Sequence, residues 1–137
     1  MIPDRYKTLI KLREIMLASI NEKSFTQDVF NSSTPVLVHF WAPWCGLCRM
    51  INPLLLGFQA EWGDRIKVVG INADNSLKLA NQYRLSTLPT LILFDGDRIV
   101  QRLEGFHGRD ALRIALEESI APYSRTKSIE TSPAIIR

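Results

Sequence analysis

With 137 residues, 46% of them hydrophobic and 23% charged, the chain has the length and composition of one globular domain burying about two-thirds of its unfolded surface. No apolar run approaches the roughly 20 residues that span a bilayer, and Ile15–Ile20, broken by Ser19, is too short for a signal peptide and lacks a small-residue cleavage site, so the chain reads as cytoplasmic with no membrane partner. The net charge is +3, but residues 36–121 carry nine basic and nine acidic groups and the excess falls at the ends, which excludes the basic stripe expected of a nucleic-acid binder.

In chain order, Pro3–Glu14 places Tyr6, Leu9, Ile10 and Arg13 near helical spacing and predicts a helical extension over residues 1–15. Met16–Ile20 is a short strand opening a domain that runs to residue 121. Ser24–Phe30 is a helix with Ser24 as N-cap and Gln27 completing a capping box. Val36–Trp41, apolar almost throughout, suits a strand covered on both faces. A helical pattern follows from Cys45 to about Trp62, with Pro53 expected to kink it. Ile66–Ile71 is a second buried strand, followed by Asp74 or Asn75 as cap of a helix reaching Tyr83. Thr90–Phe94 and Arg98–Leu103 flank Asp95-Gly96 and predict a hairpin. Arg109–Ile120 is a final amphipathic helix stopped by Pro122, leaving residues 122–137 as a flexible tail. The order predicts an α/β fold, a mixed central sheet with helices on both faces.

The two cysteines, Cys45 and Cys48, are three positions apart. A pair this close closes almost no loop and adds little stability, so it is either a reactive pair or half of a metal site. Its position where a strand ends and a helix begins favours a thiolate, through unpaired N–H groups and the positive end of the helix dipole. One helical turn brings the second sulfur beside the first. Cys45, at the helix mouth, is expected to be the exposed attacking thiol and Cys48 the resolving one.

Phe40-Trp41-Ala42, Trp44-Cys45-Gly46 and Cys48 resemble the signature of the thioredoxin family. Pro53, Asn72-x-Asp74, Thr87-Leu88-Pro89-Thr90 and Gly105 resemble further family positions, in the right order, over residues 20–120. The resemblance implies a thioredoxin fold and protein-disulfide oxidoreductase activity without a cofactor beyond the redox pair. It implies protein disulfides as substrates and a flavin- or ferredoxin-linked thioredoxin reductase as electron donor; the chain is expected to be a monomer. It also implies that Pro89 is cis. Trp44, Pro89 and Gly105 would form the docking surface, and the backbone of Thr87 and Leu88 would pair with an extended substrate.

Three departures qualify the resemblance. Gly46 and Leu47 separate the cysteines where the family has Gly and Pro, and losing that constraint is expected to make the couple more oxidising. His39 stands where the family buries an Asp beneath the second cysteine, and Gly70 where a partner Lys is common. Both ends of a buried ion pair are gone together, which avoids an uncompensated charge. His39 is either a general base for Cys48 or a neutral core side chain. His107 is a loop residue that borders the groove or is simply solvated. Two Cys and two His also meet the minimum count for zinc, but their spacing argues against a metal site. The alternative to an oxidoreductase is a redox-sensing or protein-binding module with poor turnover.

Overall fold

The computed structural model describes residues 17–131, and their side chains as far as Tyr123. The expected helical extension Pro3–Glu14 and the last six residues of the expected tail lie outside it. Five strands form one sheet: β1 (Ala18–Ile20), β2 (Val36–Trp41), β3 (Lys67–Asn72), β4 (Thr90–Asp95) and β5 (Arg98–Leu103). Their spatial order is β1-β3-β2-β4-β5. β3 runs parallel to both β1 and β2, whereas β4 and β5 are antiparallel additions on the other side of β2.

Strand alternation explains why the inner strands are apolar throughout. Leu37, Val68, Leu91 and Leu93 point to the face covered by α2 (Gly46–Trp62) and α4 (Arg109–Thr131). Val38, Phe40, Val69, Ile71, Ile92 and Phe94 point to the opposite face, covered by Phe25 and Val29 around α1 (Thr26–Phe30) and by Leu79 of α3 (Leu77–Gln82). Gln59 of α2 ties its layer to the sheet by accepting from the Val68 N–H at 2.7 Å and donating to the Ile66 carbonyl at 2.9 Å. The β4–β5 hairpin turns at Gly96, whose φ of 65° is the left-handed conformation a tight turn needs.

Several local expectations are corrected. α1 is a single π-type turn without a side-chain cap. Ser24 does not complete a capping box: its hydroxyl bonds to the Asn21 carbonyl, while the Asn21 side chain accepts from the N–H groups of Lys23 and Ser24. The segment after β3 is divided. Asn72 caps a 3₁₀ turn, Ala73–Asn75, and α3 then starts separately. Its free N–H groups are met by Glu22, far away in sequence, whose Oε1 accepts from Lys78 at 2.7 Å and Leu79 at 3.3 Å. Glu22→Ala is therefore expected to cost about 1 kcal/mol, the usual loss for a missing N-cap, measurable by denaturant unfolding. Pro122 does not stop α4, which continues to Thr131. Tyr123, just beyond it, packs against the core under α4 and donates its hydroxyl to Asp95 at 3.3 Å, so tertiary contact offsets the missing helical bond. The helix α2 runs through Pro53 to Trp62, as expected.

Candidate functional site

One end of the sheet gathers the chemistry. β2 finishes there, with Trp41 opposite Asn72 at the end of the parallel strand β3. The antiparallel strand β4 starts there, with Thr90 opposite Phe40, and β5 ends there, with Leu103 opposite Leu91. The loop to Cys45, the Asn72–Asp74 turn, Pro89 and Gly105 consequently emerge at the same edge.

Cys45 is the N-cap of α2, with extended backbone at φ −87° and ψ 106°. Its Sγ accepts the Cys48 N–H at 3.1 Å, the part an oxygen has at an ordinary cap. Negative charge on this sulfur is favoured by that bond and by the helix dipole. The sulfurs of Cys45 and Cys48 are joined as a disulfide, with Cα atoms 5.3 Å apart. The expected contrast in exposure is not present in this form: Cys45 is 5% exposed and Cys48 3%. The closed disulfide holds the first sulfur inside the opening turn of α2. What distinguishes the two cysteines is their position on the helix.

Trp44, 68% exposed, stands on the surface beside the disulfide. Its indole Nε1 donates to Asp74 at 3.1 Å, and the Asp74 N–H in turn donates to the Asn72 side chain at 2.9 Å. Asp74 as an anchor for Trp44 was not read from the sequence, where Asn72-x-Asp74 marked only a strand end and a cap. Arg49, also missed, donates to the Pro43 carbonyl and pins the loop ahead of Cys45.

The Leu88–Pro89 peptide is cis. Thr87 is exposed, and its carbonyl accepts the Thr90 hydroxyl at 2.7 Å, which fixes the bend while leaving a second lone pair for another donor. Gly105 is exposed, in the left-handed conformation at φ 71°, with open space where a side chain would be. Gly46 is exposed and Leu47 half-buried against the core cluster under α2 and α4. His107 is exposed in the loop before α4 and does not approach a metal cluster; among the described residues no three His, Cys, Asp or Glu side chains converge to hold a metal ion.

His39 is 2% exposed, paired with Gly70 on one side and Leu91 on the other. It shares a cavity wall with Cys48. Its Nε2 has no hydrogen-bond partner among the described residues, and burial pushes its pKa down to about 4, so the ring is neutral at pH 7.

A disulfide at the N-cap of the first crossover helix, at the carboxyl edge of β2 and β3, makes this molecule a thiol–disulfide oxidoreductase working through a dithiol pair. Comparison with known proteins narrows the class. The thioredoxin family model matches residues 16–118. Thioredoxin 1 of Nostoc sp. is 38% identical over 103 residues, covering 75% of this chain and 96% of that protein. Thioredoxin 1 of Synechococcus elongatus is 45% identical over 83 residues, 60% of this chain and 78% of that one. The thioredoxin of Porphyra purpurea is 37% identical over 105 residues, 77% and 98% of the two chains. The chain belongs to the thioredoxin family.

Proposed function

We propose that this chain reduces disulfides of other proteins in the cytoplasm, as a monomer, with Cys45 as nucleophile and Cys48 as resolving thiol. The observation that carries the assignment is Cys45 at the N-cap, its sulfur already accepting the Cys48 N–H. In the reduced protein that sulfur carries the thiolate. It attacks one sulfur of the target disulfide, forming a mixed disulfide and expelling the other target sulfur as thiolate. Cys48 then loses its proton and attacks the Cys45 sulfur, which releases the reduced target and regenerates the Cys45–Cys48 disulfide. Two electrons have passed to the target and must be replaced. A thioredoxin reductase is the proposed donor. A relative from Mycobacterium leprae, named bifunctional thioredoxin reductase/thioredoxin and 38% identical over 93 residues, joins the two activities in one chain.

Exposed Trp44 and Gly105 form the proposed docking surface, and the buried cis Pro89 sets the bend from which Thr87 and Leu88 offer backbone groups to an extended segment of the target. His39 shares a cavity wall with Cys48 and has an unpartnered Nε2, but a ring whose pKa burial holds at about 4 is a poor acceptor for a thiol proton, which favours the neutral core side chain over the general base. His39→Asn is accordingly expected to leave the rate of mixed-disulfide resolution and its pH profile unchanged; a slower rate with an altered profile would restore the base.

Insulin reduction driven by dithiothreitol, then by a thioredoxin reductase, tests the function. Catalysed precipitation supports it, whereas a pair that cycles with dithiothreitol but does not turn over on insulin points to the sensing or binding module. Leu47→Pro restores the missing constraint between the cysteines and is expected to make the couple more reducing, by tens of millivolts since about 30 mV corresponds to only 1.4 kcal/mol. A thiol–disulfide redox titration checks this, and a potential that does not fall on substitution contradicts the proposed part of Leu47.

A further inference from the structure

A cavity of about 370 Å³ opens between the first two turns of α2 and the sheet edge formed by β1, β3 and β2. Cys48 is in its wall, but Cys45, Trp44, Pro89 and Gly105 are not. It therefore approaches the redox pair from behind, away from the edge proposed for protein docking. Gly70 helps to keep it open. That residue lies opposite His39 in the β2–β3 register, and a Cβ there would come within 3.3 Å of the Trp41 indole.

The wall has a definite chemistry. Leu17, Trp41, Ala42 and Pro43 make it mainly apolar, suited to a flat hydrocarbon body. Among the described residues Arg49 is its only charged side chain, and none of them lines it with a carboxylate. One guanidinium nitrogen is held on the Pro43 carbonyl, which fixes the group at the rim with its other N–H groups directed to no protein acceptor among the described residues. Ser19 and Asn52 add two neutral polar side chains. His39, 2% exposed, also lines the cavity and has a ring nitrogen without a partner among the described residues.

We propose that the cavity binds a compact aromatic carboxylate, its ring against Trp41 and its carboxylate on Arg49. Arg favours a carboxylate through charge-assisted hydrogen bonds, while a cationic ligand finds no counter-charge there among the described residues. Because Cys48 is part of the wall, the ligand meets different surroundings in the disulfide and dithiol forms and binds them unequally. By linkage, such a ligand shifts the redox equilibrium by the ratio of its two affinities; a tenfold ratio corresponds to about 30 mV. This coupling rests on the thiol–disulfide reading, whereas the binding itself does not.

The probe is 3-(4-hydroxyphenyl)propionate, titrated into the full chain by ligand-detected and ¹⁵N-resolved NMR, with its amide and with tyramine as neutral and cationic controls. A ligand of this size is expected to bind with Kd on the order of 1 mM, shifting the Gly70 amide and His39 ring signals. Both controls should bind about tenfold more weakly, and Arg49→Gln should weaken the acid by about the same factor, the effect of one charge-assisted bond. Gly70→Val should block the cavity; if it fails to fold, Arg49→Gln carries the test alone. Equal binding of acid, amide and amine, no effect of Arg49→Gln, or no binding at several times the expected Kd would overturn the site. Equal affinities of the two redox forms would overturn the coupling. Lost insulin reduction with intact probe binding would reject the oxidoreductase reading, and the reverse result would reject the pocket.

Discussion

Cys48→Ser is expected to turn the protein from a catalyst into a trap. The first half-reaction needs only Cys45 and the stabilisation of its thiolate. That stabilisation comes from the helix N-terminus and from the backbone N–H of residue 48, which the substitution keeps. The second half-reaction needs a thiolate one turn along α2, and a serine hydroxyl does not replace it at neutral pH. The mixed disulfide therefore accumulates to one equivalent, visible on a non-reducing gel and by intact mass with insulin as target, while turnover falls by at least on the order of a hundredfold. Cys45→Ser is expected to lose turnover equally but to trap nothing, since the remaining sulfur lies one turn inside α2, without the N-cap position that stabilises a thiolate. The contrast matters because exposure in the disulfide form does not separate the two cysteines. If Cys45→Ser trapped the target and Cys48→Ser did not, the roles would be reversed and the N-cap argument wrong.

The main lines of the fold could be read from the residues because each depended on local chemistry. Val36–Trp41 is apolar on alternate as well as adjacent positions, so it had to be covered on both faces, and Asp95-Gly96 could hardly be anything but a tight turn. The site was readable for the same reason: a strand, a short loop, two cysteines one turn apart and a helix follow one another directly in the chain and define a reactive pair. What could not be read depended on partners distant in sequence. Glu22 caps α3 across 56 residues, and no local rule chooses it over Ser76 or Asp74. Tyr123 holds α4 beyond Pro122 by bonding to Asp95 in the hairpin, where a local rule ends the helix. Ser24 had every local mark of a capping residue, yet its hydroxyl was taken up by Asn21. The cavity is an intermediate case. His39 and Gly70 were each recognised as departures, but only the strand register, placing them side by side beneath α2, makes one space of them.

His39 should also leave a mark on stability that does not depend on any catalytic role. Burial pushes its pKa down to about 4 from the ordinary 6.5. Between these values the unfolded chain takes up a proton that the folded chain refuses, so stability rises with pH across this window. The contribution is complete above about pH 6.5, is lost as pH falls towards 4, and does not change further below that. At 1.36 kcal/mol per pH unit the loss amounts to about 3 kcal/mol, a large share of a typical domain's stability. His39→Leu removes the titrating group and the unpartnered nitrogen together, and the adjoining cavity gives the branched side chain room. Urea unfolding at steps from pH 7 to pH 4 should show the wild-type protein losing about 3 kcal/mol more than the variant. Carboxylates titrate in both proteins and cancel in the difference. Parallel stability curves would mean that the folded protein accepts the proton on His39 at little cost, through water or local opening at the cavity. In that case the neutral ring assigned to it at pH 7 would also lose its basis.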